Sequence, residues 1–140
     1  MQDFKQLRVW KQAAALAMNV RRVSGGFPRS GYAALKAQMI SAAESVLFNI
    51  VEGCGTDSQR EFARFLTISI KSATELEGQL DQAKKYEILS EPDWRSLAAD
   101  TVDTRRMLYG LRKKVLATTR RTTPPPAIES VAVHRSRNDA

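Results

Sequence analysis

Apolar residues recur at intervals of three and four through four blocks of the chain, and short runs of glycine, proline and serine separate the blocks. In the first block, Leu7, Trp10, Ala13, Ala14, Ala17 and Val20 predict an amphipathic helix from about Gln6 to Val23, stopped by Gly25-Gly26. Phe27-Pro28 leads through a turn to Ser30, after which only Gly31 interrupts before Gly53, an interval that fits a second helix of about twenty residues. Ser58 with Glu61 three residues later reads as a capping box, in which the Ser oxygen and the Glu carboxylate satisfy orphan N–H groups at a helix start. The third helix follows on Phe62, Phe65, Leu66, Ser69, Ile70, Ala73, Leu76, Leu80 and Ala83, to about Tyr86. Ser90-Glu91-Pro92-Asp93 repeats the start signal, and Trp94, Leu97, Ala98, Thr101, Val102, Leu108, Leu111 and Val115 stripe a fourth helix. No segment alternates with period two. The expected fold is therefore all-α, an antiparallel up-down-up-down four-helix bundle over residues 1–117. From 118 to 140, threonine, arginine and Pro124 to Pro126 replace the apolar pattern, which predicts a disordered basic tail.

The second helix carries more apolar surface than a monomeric bundle needs. Leu35, Met39, Ala42, Ala43, Val46 and Ile50 fall within one arc of roughly 100°, enough to face a core. Ile40, Leu47 and Val51 lie beside that arc, and Phe48 lies further round. Either the bundle wraps this helix unusually fully, or the surplus buries against another subunit; apolar patches of this kind mark interfaces.

Length and composition narrow the class. The 140 residues, 43% of them hydrophobic, suffice for one core and are too few for two ordinary domains. One cysteine, Cys54, permits no intrachain disulfide, and the first thirty residues hold no signal-peptide pattern, so the cytoplasm is expected. The apolar stretch from Met39 to Val51 is broken by polar residues and falls short of the roughly 20 apolar residues of a membrane span, so no membrane role is expected.

The net charge of +7 is unevenly spread: residues 1–40 hold seven basic residues against one acid, residues 41–99 six against ten, and residues 100–117 five against two. In an antiparallel bundle the start of the first helix lies near the end of the fourth. Lys5, Arg8 and Lys11 would then share one end with Arg112, Lys113, Lys114, Arg120 and Arg121, an electrostatic footprint for nucleic-acid phosphates. The alternative is that these are solvated helix faces. Trp10 and Trp94 lie on apolar faces and read as core residues rather than base-stacking platforms.

Catalytic constellations fail by elimination. The one histidine, His134, falls in the expected tail, so no His-based triad or general base can be built. Cys54 lies between two glycines without a positive surrounding to activate it, and Glu75, Glu77 and Asp81 lack the histidine partner of a bundle metal site. No phosphate-binding glycine loop occurs. A non-enzymatic protein without cofactor or metal is expected.

Seven blocks in order carry a resemblance: F-x-x-L-x-V-W-x-x-A from Phe4, Phe27-Pro28, L-x-x-Q from Leu35, A-A-x-S from Ala42, N-I-x-E-G from Asn49, S-x-x-E-F-x-R-F-L from Ser58, and S-x-x-E-L-E-x-Q-L from Ser72. From Phe4 to about Leu111 the chain resembles the four-helix bundle family that includes proteins encoded by intervening sequences of bacterial 23S rRNA genes. The resemblance implies the bundle fold, a bacterial cytosolic setting and a ring of five identical subunits. It also implies kinship with accessory proteins of diversity-generating retroelements, which associate with a reverse transcriptase and nucleic acid. This chain departs from the family where Ile40-Ser41 replaces a common arginine pair, where Thr56-Asp57 replaces basic residues, where Gly31 replaces a glutamate, and where Leu47 replaces a proline. Asn49 and Glu52 precede the helix break. They are expected either to tie the Cys54 to Asp57 loop or pair with Arg60 or Arg64, or to line a ligand site with Arg64 and Glu75.

The leading expectation is a homo-oligomer, a pentamer, that binds rRNA or another nucleic acid through phosphate contacts. The alternative is a scaffold that holds a protein partner such as a reverse transcriptase. Its polar framework would comprise Asn49, Glu52, Ser58, Glu61, Arg64 and Glu75, and its oligomer interface Ile40, Leu47, Phe48 and Val51.

Overall fold

The computed structural model describes residues 2–122, the last three as helix backbone alone. A short 3-10 turn (Phe4–Gln6) precedes four helices: α1 (Arg8–Ser24), α2 (Ala33–Cys54), α3 (Gln59–Lys85) and α4 (Glu91–Thr122). Each helix packs on its neighbours in sequence, and α4 closes the ring against α1, while α1 and α3, like α2 and α4, lie across the diagonals without contact among the described residues. This is the expected antiparallel four-helix bundle.

The helix boundaries follow from local chemistry. Asp3 Oδ1 accepts the Lys5 N–H (3.1 Å) and caps the 3-10 turn that delivers the chain into α1. Gly31 takes a φ of +93°, a conformation that favours glycine, and α2 begins two residues on at Ala33, its 22 residues matching the expected helix of about twenty. Ser58 Oγ accepts the Glu61 N–H (3.2 Å), yet Glu61 does not complete the capping box: its carboxylate takes the Arg64 Nε–H at 2.6 Å. At the end of α3, Glu87 adopts φ 62°, and the Ile88 N–H reaches back to the Ala83 carbonyl (3.2 Å), a Schellman closure with glutamate where glycine is usual. Ser90 Oγ accepts the Asp93 N–H (3.3 Å) and opens α4. That helix runs to Thr122, five residues past the expected end at Ala117. Thr118 and Thr119 return their hydroxyls to the carbonyls of Lys114 and Val115, so no breaker intervenes before Pro124, which disfavours helix in the residue before it. The remainder of the expected tail, 123–140, including His134, lies outside the described residues.

The core has two parts. Val9, Ile50, Phe62, Leu66 and Leu108 fill the half around the start of α1, and Leu16, Met39, Leu76, Leu80 and Leu97 fill the other. Full burial of each leucine contributes about 2 kcal/mol. The face of α2 expected to be internal is internal: Met39, Ala42, Ala43, Val46 and Ile50 are buried, and Leu35 packs at its edge.

Small residues bring α2 and α3 together. A Cβ on Gly53 would stand 2.7 Å from Phe62 Cδ1, so only glycine permits this approach. Ser69 Oγ donates to the Val46 carbonyl (2.7 Å), and the Ser45 and Ser72 hydroxyls bond each other at 2.7 Å, which satisfies the polar groups that the close seam buries.

Candidate nucleic-acid interface

The antiparallel register, marked by Gln12 Nε2 donating to the Asp100 carbonyl (3.5 Å), sets the beginning of α1 beside Met107, Gly110, Leu111 and Lys114 of α4. Arg8 and Lys114 thereby line one cleft of about 310 Å³ between the two helices. Its apolar lining is Leu7, Val9, Met107 and Leu111, and Gly110 leaves its α4 wall without a side chain. Lys114 also borders a second cavity of about 210 Å³ at the bundle end, shared with Gln2, Thr56, Asp57 and Ser58. Lys5, Arg8, Lys11, Lys113 and Lys114 are all exposed, and none takes part in an ion pair among the described residues. α1 contains no acidic residue.

Arg112 does not join this group. Its Nη1 donates to Thr67 Oγ1 of α3 at 3.1 Å, and its guanidinium lies 4.9 Å from the centre of the Tyr109 ring. The side of α4 that carries Arg112 also carries Arg105, which is paired with Glu77 (2.8 Å). The basic end expected from the sequence is thus divided, with Arg8 and Lys114 over the α1/α4 cleft and Arg112 over the α3/α4 face. Arg120 and Arg121 belong to the helix backbone of α4, and their side chains lie outside what is described.

Neither tryptophan offers an open stacking face. Trp10 packs on the core and meets Phe4 at 5.2 Å between ring centres. Trp94 donates its indole N–H to Asp81 (2.9 Å) and carries the Lys84 ammonium 3.6 Å above its ring.

The polar residues around the α2/α3 connection serve local structure. Asn49 Nδ2 donates back to the Ser45 carbonyl (2.8 Å) and hydroxyl (3.1 Å), not to the following loop, whose own link is Thr56 Oγ1 donating to the Gly53 and Ser58 carbonyls. Glu52 is exposed. Arg64 pairs with Glu61 and lies 4.5 Å from the Phe65 ring centre, whereas Glu75 accepts from Gln79 (3.1 Å). Arg64 and Glu75 are eleven residues apart on α3, about 16 Å along the axis, so the four residues Asn49, Glu52, Arg64 and Glu75 do not converge on one ligand.

Cys54 is buried, and its thiol is pushed up to about 11, by desolvation first and by the Asp3 charge second. It is protonated at neutral pH and lacks thiolate reactivity. No group of three His, Cys, Asp or Glu residues is placed to hold a metal ion among the described residues.

On α2, Ile40 and Leu47 lean partly on the core, Val51 is half-buried, and Phe48 stands 55% exposed. Ala37, Ile40, Ser41, Glu44, Ser45 and Phe48 outline an open groove on this outer face. Three exposed apolar residues lie outside the stripes expected from periodicity: Met18, 74% exposed, Tyr109, 48% exposed, and Leu116, 39% exposed. Met18 was legible in principle, because Arg8, Lys11, Ala15, Met18 and Arg22 fall at the three- and four-residue spacing of the solvent face of α1.

The described residues thus form a four-helix bundle with Arg8 and Lys114 over the cleft between its first and last helices and Phe48 exposed on its second. The chain belongs to the 23S rRNA-intervening sequence protein family, whose model matches residues 5–110. Among solved structures it is similar to a protein of unknown function from the S23 ribosomal protein family of Bacteroides thetaiotaomicron VPI-5482. The TM-score is 0.71 at 20% identity, over 75% of this chain and 98% of that one, a likeness of fold. No curated protein matches the sequence. No helix among the described residues is long and apolar enough to cross a membrane.

Proposed function

We propose that this chain is a non-enzymatic cytoplasmic protein that assembles into a homo-oligomer and binds RNA or DNA through backbone phosphates at the α1/α4 end. What supports this reading is that Lys5, Arg8, Lys11, Lys113 and Lys114 are exposed and without ion pairs among the described residues, and that Arg8 and Lys114 line one cleft between α1 and α4. Cations held this way release counterions from a nucleic acid on binding, which gives affinity without base readout. The family's name, tied to 23S rRNA, supports RNA as the polymer.

Self-association rests on the outer face of α2. Ile40 and Ser41 join Phe48 in an open groove on this face. Burial of Phe48 against a second copy removes the largest apolar side chain that α2 exposes. A pentamer is the assembly that the resemblance implies. Light scattering is expected to give a mass near five times 15.6 kDa, and Phe48→Lys to give a species near 15.6 kDa. A monomeric wild type at micromolar concentration contradicts this part of the reading. The same groove favours a second reading, a scaffold for a partner enzyme, which predicts partner binding that persists in high salt.

A further inference from the structure

We propose that the α1/α4 cleft receives the base of an unpaired nucleotide, with the adjoining phosphate held between Arg8 and Lys114, so that the polymer this protein takes is single-stranded. The inference rests on the phosphate-binding reading above and names the form of nucleic acid it acts on.

Four observations converge on the cleft. Its volume of about 310 Å³ is at the small end of the ligand-cleft range, roughly 300–1,000 Å³, which suits one planar ring and excludes a helix or a duplex. Its lining is apolar, with Leu7, Val9 and Leu111 fixed by packing and Met107 able to adapt to a ring face. Its lining carries two cations and no carboxylate, and Asp57 borders the neighbouring cavity that shares Lys114. Its fourth feature is Gly110. A glycine inside a long helix costs helix stability. Here a Cβ would meet nothing within 4 Å, so packing does not require glycine at this position. What the missing side chain leaves is the open wall of the cleft.

Duplex geometry cannot use such a site. A paired base is stacked between its neighbours and must be extruded to reach a slot between two helices, whereas a single strand presents its bases without that cost. A phosphate lies one sugar away from every base, which matches cations on the rim rather than on the floor.

The test uses the full chain and a labelled twelve-nucleotide RNA, single-stranded or annealed to its complement, followed by fluorescence anisotropy at low salt. Wild type is expected to favour the single strand. Gly110→Leu, which fills the cleft without removing charge, is expected to weaken single-strand binding about fivefold or more, with an unchanged salt slope and unchanged duplex binding. Gly78→Leu is the matched control: Gly78 is also exposed in a helix with nothing within 4 Å of its Cβ, but on α3 away from the cleft, and both affinities should stay. Circular dichroism melting of each variant establishes that it is folded, and Gly110→Ala, which fills less of the cleft, should show a smaller loss of the same kind. Equal wild-type affinity for both forms, an unaffected single strand in folded Gly110→Leu, or equal loss for both forms overturns the cleft assignment while leaving phosphate binding intact. Failure of wild type to bind either form at low salt overturns the phosphate reading itself.

Discussion

The α2/α3 seam and the α1/α4 seam use the same residue types to opposite ends. Between α2 and α3, Gly53 lets the helices approach until Phe62 fills the space where a Cβ would be, and the serines along the seam are hydrogen-bonded at 2.7 Å. Between α1 and α4, Gly110 faces open space, the Gln12 to Asp100 hydrogen bond is stretched to 3.5 Å, and a cleft remains with cations on its rim. One seam is closed and spends its small residues on packing, which secures the fold. The other is left open where Arg8 and Lys114, both without ion pairs among the described residues, line the cleft. Elements that bind are drawn from the less tightly packed part of a structure.

Substitutions that exchange the two seams' properties test this contrast. The largest effect is expected at Gly53. A leucine there collides with Phe62, buried in the core, and with Phe65 Cβ, 3.2 Å from the built Cβ, so Gly53→Leu should cost about 3 kcal/mol in urea unfolding. A loss below 0.5 kcal/mol would mean that the seam is not closed.

The thiol at the end of α2 gives the next effect and works through pH. Its folded value near 11 lies above its ordinary one, so the folded state retains the proton longer than the unfolded chain. The associated stability is fully present below the unfolded value and is lost as pH rises through the folded one. Between about pH 9 and pH 11 the wild type should therefore lose about 1.4 kcal/mol per pH unit relative to Cys54→Ala, as read from urea midpoints at each pH. Parallel profiles for the two proteins would show that Cys54 is solvated.

The smallest effect has the opposite sign to the first. Gly110→Ala introduces a Cβ into empty space and improves helix propensity, so it should stabilise the protein by about 0.5–1 kcal/mol and raise the melting temperature by a few degrees. Gly53 and Gly110 then differ in sign as well as size, which a general glycine effect cannot produce.

Much of this architecture was legible in the sequence because it depends on period and punctuation. The four helices, the internal face of α2 and the neighbourhood of α1's start and α4's end all follow from spacing and short connections. The positive φ at Gly31, which sets where α2 begins, was not. The division of the basic end was not either. Arg112 and Lys114 are two residues apart, about 200° around a helix, and only the arrangement of α1 and α3 on either side of α4 decides which cation faces which partner. Glu61 likewise had two partners available, the α3 start and Arg64, and local spacing does not rank them. The cleft itself has no sequence signal, since an open space is a property of packing.

The central claim is that cations at the α1/α4 end, and not the net charge of the protein, hold nucleic acid. The most direct measurement is the salt dependence of RNA binding for two variants that each remove three positive charges. One is Arg8→Gln, Lys11→Gln, Lys114→Gln; the other is Arg21→Gln, Arg64→Gln, Arg95→Gln, at arginines that are already paired with Glu44, Glu61 and Glu91. Each lost phosphate contact removes about 0.7–0.9 from the slope of log affinity against log salt, so the first variant should be shallower than wild type by about 2 to 3. The second should keep the wild-type slope. Equal slopes in the two variants, with the assembly unchanged by light scattering, would contradict the account and assign binding to overall charge.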